Sequence, residues 1–131
     1  EFLKKKFNDK KKFLLIKNCG SDLYINLLRH SNFIMGNSSS GIVEAASLKL
    51  PSINIGTRQD GKFKPVNVIN CDYKSKNIVK AIKLASSLKF KKKLIRMKNP
   101  YEAKRSISNL LKIIINIKNN DFYLRKNFKN L

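Results

Sequence analysis

The chain of 131 residues contains no tryptophan, one histidine, two cysteines and three prolines, and only 8 acidic residues against 29 basic ones. Each scarcity excludes something. Cys19 and Cys71 have neither the short spacing of a zinc ligand set nor the density of a disulfide scaffold. Both are expected as free thiols in a reducing compartment, and no metal or other cofactor is expected. No apolar run approaches the ~18 residues that a membrane helix needs. The longest, Phe13–Ile16 and the Asn116-interrupted Ile113–Ile117, are strand- or helix-sized, and nothing resembles the apolar core of a signal peptide. A cytoplasmic protein with no membrane partner is expected. At 42% hydrophobic residues the chain is too apolar for a disordered basic tail. Its length suits one domain with a real core.

The net charge of +21 raises the question of nucleic acid. Its distribution argues otherwise. Residues 1–32 carry 8 basic and 3 acidic groups, and residues 62–131 carry 19 and 3. Residues 33–61 balance Lys49 and Arg58 against Glu44 and Asp60. Lysine makes up 24 of the 29 basic residues, whereas base-reading surfaces lean on the planar fork of arginine. Runs such as Lys4–Lys6, Lys10–Lys12 and Lys91–Lys93 read as solvated faces. No specific nucleic-acid partner is expected, although a basic nucleic-acid-binding protein stands as an alternative.

Apolar periodicity and turn residues divide the chain. Phe13–Ile16 reads as a buried strand, followed by a helix capped by Ser21 and ended by His30-Ser31-Asn32. Phe33–Met35 is a second strand, and Ile42–Leu48 a short helix. Pro51 and Gly56 bracket a strand at Ser52–Ile55. Val66–Ile69 is a fourth strand, a helix runs from a Ser75 cap to about Leu88, and another covers Phe90–Met97. Ile107, Leu110, Leu111 and Ile114 form a helical stripe. The alternation implies an α/β layer fold, a Rossmann-like parallel sheet with flanking helices. Such sheets bind ligands beyond the carboxyl ends of their strands. That directs attention to Asn18–Gly20, Gly36–Gly41 and Gly56–Pro65.

Gly36-Asn-Ser-Ser-Ser-Gly41 sits between a strand and a helix. Its small residues admit close backbone approach, its serines add hydroxyl donors, and the first N–H groups of the helix lack internal partners. Such a turn suits a phosphate. Read alone, an ordinary polar turn remains equally open. The P-loop is excluded, because Ile42 and Val43 follow Gly41 where lysine and a hydroxyl residue are needed. No G-x-G-x-x-G is present for a nicotinamide dinucleotide. Glu44, in the first turn of an otherwise apolar helix, either complements the helix dipole or accepts from the two hydroxyls of a ribose.

Gly36-Asn-Ser-Ser-Ser-Gly-Ile-Val-Glu-Ala45, Leu50-Pro-Ser-Ile-Asn-Ile-Gly-Thr-Arg-Gln-Asp-Gly61 and Asn67-Val-Ile-Asn-Cys71 together resemble the hydrolysing UDP-N-acetylglucosamine 2-epimerases. Asn99-Pro100-Tyr101 and Lys126-Asn-Phe128 are similar to that family's C-terminal end. The resemblance implies the C-terminal, UDP-binding half of a GT-B-type two-domain fold. Residues 1–131 would form a fragment lacking the N-terminal catalytic half, with residues 103–131 as a helical tail. It implies UDP contacts from Ser38, Ser39, Ser40, Gly41, Glu44 and Arg58, a backbone contact to uracil near Asn18 and Cys19, and no catalytic residue within this chain. It further implies a UDP-sugar substrate, N-acetylmannosamine and UDP as products, a sialic- or legionaminic-acid type pathway, and a homo-oligomeric full-length enzyme. A UDP-sugar glycosyltransferase half-domain is a further alternative, sharing fold and nucleotide but not the Arg58-Gln59-Asp60-Gly61 loop. His30 matches none of the family's acid/base groups and is expected at a helix end.

The basic flanks predict weak polyanion binding without sequence preference, falling steeply with salt as counterions are released. Fluorescence titration of oligonucleotides over a salt series checks this. Tight, sequence-selective binding at physiological salt would favour the nucleic-acid alternative.

Overall fold

The computed structural model describes residues 12–102 and 106–116. Helix α1 spans Gly20–Arg29, strand β1 Ile34–Gly36, a 3-10 turn Ser39–Gly41 and helix α2 Glu44–Ser47. Strands β2 and β3 span Ser52–Ile55 and Val68–Cys71, and helices α3, α4 and α5 span Ser75–Ser86, Leu88–Leu94 and Ser106–Asn116. The chain divides into two compact units, Glu1–Asn99 and Pro100–Leu131. The second unit contributes α5, a helix over the expected stripe, although Ile107, Leu110, Leu111 and Ile114 are exposed rather than packed in a core.

The three strands form one parallel sheet in the order β1-β2-β3, so the α/β Rossmann-like architecture is as expected. Ile34 stands opposite Ser52, and Ser52 opposite Val68. With side chains alternating along each strand, this register puts Ile34, Gly36, Ser52 and Asn54 on one face. Met35, Ile53, Ile55, Ile69 and Cys71 lie on the other. Helix α3 covers the second face: Ile53 packs with Ala81 and Ala85, bordered by Phe33, Ile69 and Ile82. The small alanines let the helix lie close to the sheet. Leu28 of α1, Ala45 of α2 and Leu50 pack with Ile34 on the first face. No helix among the described residues is long and apolar enough to cross a membrane.

Several expectations require correction. Phe13–Ile16 is not a strand: Leu14 is 80% exposed, and the segment joins no ladder of the sheet. Four apolar residues favour burial but form a strand only where a neighbour supplies hydrogen bonds. Ser21 does not cap helix α1: the N-cap position is Cys19, and the Gly20 N–H donates to Asn18 Oδ1 at 3.0 Å just before it. His30 closes α1 as expected, exposed at its C-terminal end. The fourth strand is shifted to Val68–Cys71 by its register with β2. Ser75 does not cap α3. Asp72 instead accepts from the Lys74 N–H at 3.0 Å and from Asn77 Nδ2 at 3.0 Å. These bonds hold its carboxyl below the usual carboxylate range. The Ser87 hydroxyl, accepting from the Phe90 N–H at 3.2 Å, starts α4 earlier than expected. Helix α4 then ends at Leu94. The Lys126-Asn-Phe128 segment and the first lysine runs, Lys4–Lys6 and most of Lys10–Lys12, lie outside the described residues.

The helix expected over Ile42–Leu48 is also different. A 3-10 turn and the four residues of α2 replace it. Helix α2 ends in a Schellman motif, with the Leu50 N–H donating to Ala45 O at 2.9 Å and the Lys49 N–H to Ala46 O at 3.1 Å. Lys49 takes the left-handed position, φ +53°, usually given to glycine, and its Nζ donates to Ile95 O at 2.6 Å. This stop turns the chain directly into β2.

Replacing Ile53, fully buried at the sheet centre, with alanine is predicted to destabilise the fold by roughly 2–5 kcal/mol. Replacing the exposed Leu14 with alanine should cost less than about 0.5 kcal/mol. Denaturant unfolding of the two variants measures both. A large loss at Leu14 would restore the buried-strand reading.

Candidate functional site

The serine loop leaves β1 at the carboxyl edge of the sheet and folds back over the face that carries Ser52 and Asn54. Within it the three serines have separate fates. Ser38 caps the 3-10 turn, its Oγ accepting from the Ser40 N–H at 3.3 Å. Ser38 and Ser39 are exposed residues at the carboxyl edge. Ser40 is buried, and its hydroxyl shares a 2.6 Å hydrogen bond with the Tyr24 hydroxyl of α1. Ser40 therefore fastens the loop to α1, and its side chain is already engaged.

Gly41 explains why the turn lies so close to the sheet. A Cβ at this position would stand 2.5 Å from Ser52 Oγ. Only glycine allows the loop to seat on β2 without displacing that hydroxyl. The short 3-10 turn and the four-residue α2 also alter the electrostatics expected from the sequence. Aligned peptide dipoles are too few for a strong helix-terminal field. An anion at this turn would depend mainly on hydroxyl donors and a formal cation.

That cation is Arg58. Its Nη1 donates to the Asn37 carbonyl at 3.2 Å, and Gln59 Nε2 donates to the same oxygen at 2.7 Å. The loop after β2 is thus tied to Asn37, the residue before the serine run, which brings the exposed Arg58 to that loop. Asp60 does not neutralise it, being paired with Lys64 Nζ at 2.9 Å. Glu44 opens α2 with an exposed side chain, and among the described residues its carboxylate makes no hydrogen bond or ion pair. Asn99 steadies that helix from outside, donating to Val43 O at 3.2 Å and to Ser47 Oγ at 2.8 Å.

The structure therefore brings Arg58 to the serine loop, keeps Ser38, Ser39 and Glu44 exposed on one connection, and turns Ser40 inward. Sequence reasoning missed Tyr24, Ser52, Asn54 and Gln59. Gln59 is 3% exposed, adjacent to Arg58, and its position in the Arg-Gln-Asp-Gly loop was the available signal. Tyr24 gave none, since it meets Ser40 only through the packing of α1. Burial pushes the Cys71 thiol up, with the Asp72 charge adding to it, and both cysteines are free. Among the described residues no group of three His, Cys, Asp or Glu side chains is placed to hold a metal ion.

A parallel sheet with flanking helices, a polar loop and an arginine at its carboxyl edge defines a Rossmann-like α/β unit. The family described as UDP-N-acetylglucosamine 2-epimerase matches residues 1–115, and the chain belongs to that family, which has a GT-B type fold. It is 34% identical to the polysialic acid biosynthesis protein P7 of Escherichia coli, over 85% of this chain and 29% of that protein. It is 37% identical to the GDP/UDP-N,N'-diacetylbacillosamine 2-epimerase (hydrolyzing) of Campylobacter jejuni, over 89% of this chain and 30% of the relative. It is 42% identical to a UDP-N-acetylglucosamine 2-epimerase of Neisseria meningitidis serogroup B, over 59% of this chain and 20% of the relative. The matched region spans less than a third of each of these relatives.

Gly41→Ala is predicted to destabilise the protein by about 1–3 kcal/mol, the range for forcing a methyl into packed surroundings. Ser52→Ala should recover most of that loss, because the next atom, Ser52 Cβ, lies at an ordinary 3.7 Å. A double-mutant cycle by thermal unfolding measures the coupling. Additive losses would show that the loop does not seat on Ser52.

Proposed function

We propose that this chain is the UDP-binding portion of a hydrolysing UDP-N-acetylglucosamine 2-epimerase, occupying the C-terminal half of its GT-B-type fold. The reaction converts UDP-N-acetylglucosamine and water to N-acetylmannosamine and UDP, in sialic- or legionaminic-acid type sugar biosynthesis. Family membership and the names of the relatives support the class of enzyme. The observation that carries the local assignment is the double hydrogen bond to the Asn37 carbonyl, which ties a guanidinium to the loop that carries two exposed serines. A diphosphate needs that combination of charge and directed donors. Glu44, exposed and without a partner among the described residues, has its acceptors available for a ribose diol.

In this reading UDP leaves by elimination across C1–C2 of the sugar, and water then adds to the resulting glycal with inversion at C2. Negative charge grows on the departing diphosphate. Ser38, Ser39 and Arg58 meet that charge with donors already in place, so little reorganisation is needed as the bond breaks. Gly41 allows the backbone to approach, and Ser40 holds the loop in position through Tyr24. The proton transfers belong to a second domain, N-terminal to this one, which would face the same carboxyl edge. The full-length enzyme would be a homo-oligomer. The same reading places the work in the cytoplasm, a reducing compartment suited to two unpaired thiols.

Glu44→Ala is predicted to weaken UDP and uridine by similar factors, since both carry the ribose. Two charge-assisted hydrogen bonds at about 1.5–3 kcal/mol each would set an upper bound, and compensation by water reduces it. An increase of roughly ten- to hundredfold in Kd is expected. Glu44→Gln should retain part of the affinity. Ser38→Ala should weaken UDP more than uridine. Calorimetric titration of both ligands distinguishes these patterns. Unchanged UDP affinity in Glu44→Ala would remove that residue from the site.

A further inference from the structure

Behind the serine loop lies a small recess lined by Ile34, Met35, Gly36, Ser38, Gly41, Ser52 and Asn54, with a volume of about 20 Å³. Its walls are the loop on one side and the polar face of β2 on the other. Asn54 is 3% exposed. Its Nδ2 is engaged, donating to Asn70 Oδ1 at 2.9 Å across the sheet and, at 3.5 Å, towards Gly56 O. The Gly56 carbonyl can only accept, so it fixes the amide end of Asn54 on that side. The other end, Oδ1, is buried and accepts no hydrogen bond from the described residues. A buried carbonyl oxygen without a donor is costly, because its lost hydration is not replaced. The recess is large enough for one water, which requires roughly 10–15 Å³.

We infer that this recess is a site for a single O–H donor, a water molecule, held by Asn54 Oδ1, Ser52 and Ser38. The chemistry of the walls fits its bonding capacity. Water donates one proton to Asn54 Oδ1 and accepts from the Ser52 hydroxyl. Its second proton goes to the Ser38 oxygen, which leaves the Ser38 proton free to point out of the recess. Three hydrogen bonds are the usual complement of a buried water. The arrangement also resolves a conflict of sign. An amide oxygen would repel an anion placed against it, whereas a water between them turns the acceptor into an outward donor through Ser38. Gly41 belongs to the same device, because a methyl there would occupy the space beside Ser52.

The relay to an anion rests on the diphosphate reading of the serine loop; the water site itself does not. A crystal structure of the ligand-free protein, at a resolution that shows ordered water, tests the site directly. A water oxygen within hydrogen-bond distance of Asn54 Oδ1 and of a serine hydroxyl is expected. A dry recess, or an Asn54 Oδ1 satisfied by a protein donor, overturns the inference. UDP titration of Ser52→Ala tests the relay. Its Kd for UDP should rise about two- to tenfold, the span of one net hydrogen bond, with uridine unchanged. Wild-type affinity for UDP in that variant overturns the relay. Absence of UDP binding to the unaltered protein overturns the diphosphate reading and the relay together, and leaves the water to the crystallographic result.

Discussion

The carbonyl oxygen of Asn37 accepts from Arg58 at 3.2 Å and from Gln59 at 2.7 Å, and the arrangement of the site depends on this shared acceptor. It joins the loop that follows β1 to the loop that follows β2, beyond the point where the pairing of the two strands ends. Gln59 gives the bond its rigidity, since its side chain is buried and cannot swing into solvent. Arg58 gives it charge, on a guanidinium that still has donors to offer a ligand. A cation held by a backbone oxygen stays in place without being neutralised. A carboxylate in the same position would hold it more tightly and cancel the field that attracts an anion.

The floor of the site is paid for by unusual polarity in the middle strand. β2 is buried on both faces for most of its length, and two of its four residues are Ser52 and Asn54. Apolar side chains there would pack more favourably on energetic grounds alone. The other face offsets the cost, through Ile53 seated on Ala81 and Ala85. The division is consistent with the position of the strand: one face secures the fold and the other supports the loop. Gly41, Ser40 and Lys49 hold the loop down at three points, by close approach, by a bond to Tyr24, and by a left-handed turn into β2.

How much of this was legible in the sequence varied with the kind of signal. Pro51 and Gly56 punctuate the middle strand, so its limits were clear. The position of the serine loop and the proximity of Arg58 to it followed from strand order and family resemblance. The fate of individual serines did not, because three identical neighbours carry no mark of which one turns inward. That depends on the 3-10 turn and on Tyr24, which is distant in sequence. The truncated helix was hidden for a similar reason: its end near Leu48 was legible, but nothing in Ile42-Val43 marks that the chain enters through a 3-10 turn and becomes α-helical only at Glu44. The alternation Ser-Ile-Asn-Ile reads as a half-exposed strand, and only the loop folding over it makes the polar half buried. Phe13–Ile16 shows the opposite error, since apolarity measures the gain from burial but does not supply a hydrogen-bonding neighbour.

The most direct measurement is a crystal structure of the protein with UDP bound. The diphosphate oxygens should lie within hydrogen-bond distance of the Ser38 and Ser39 hydroxyls and the Arg58 guanidinium, with the ribose diol on Glu44 and Arg58 still bonded to the Asn37 carbonyl. UDP seated away from the serine loop, or Arg58 released from Asn37 and turned from the ligand, would contradict the assignment of this edge as the nucleotide site.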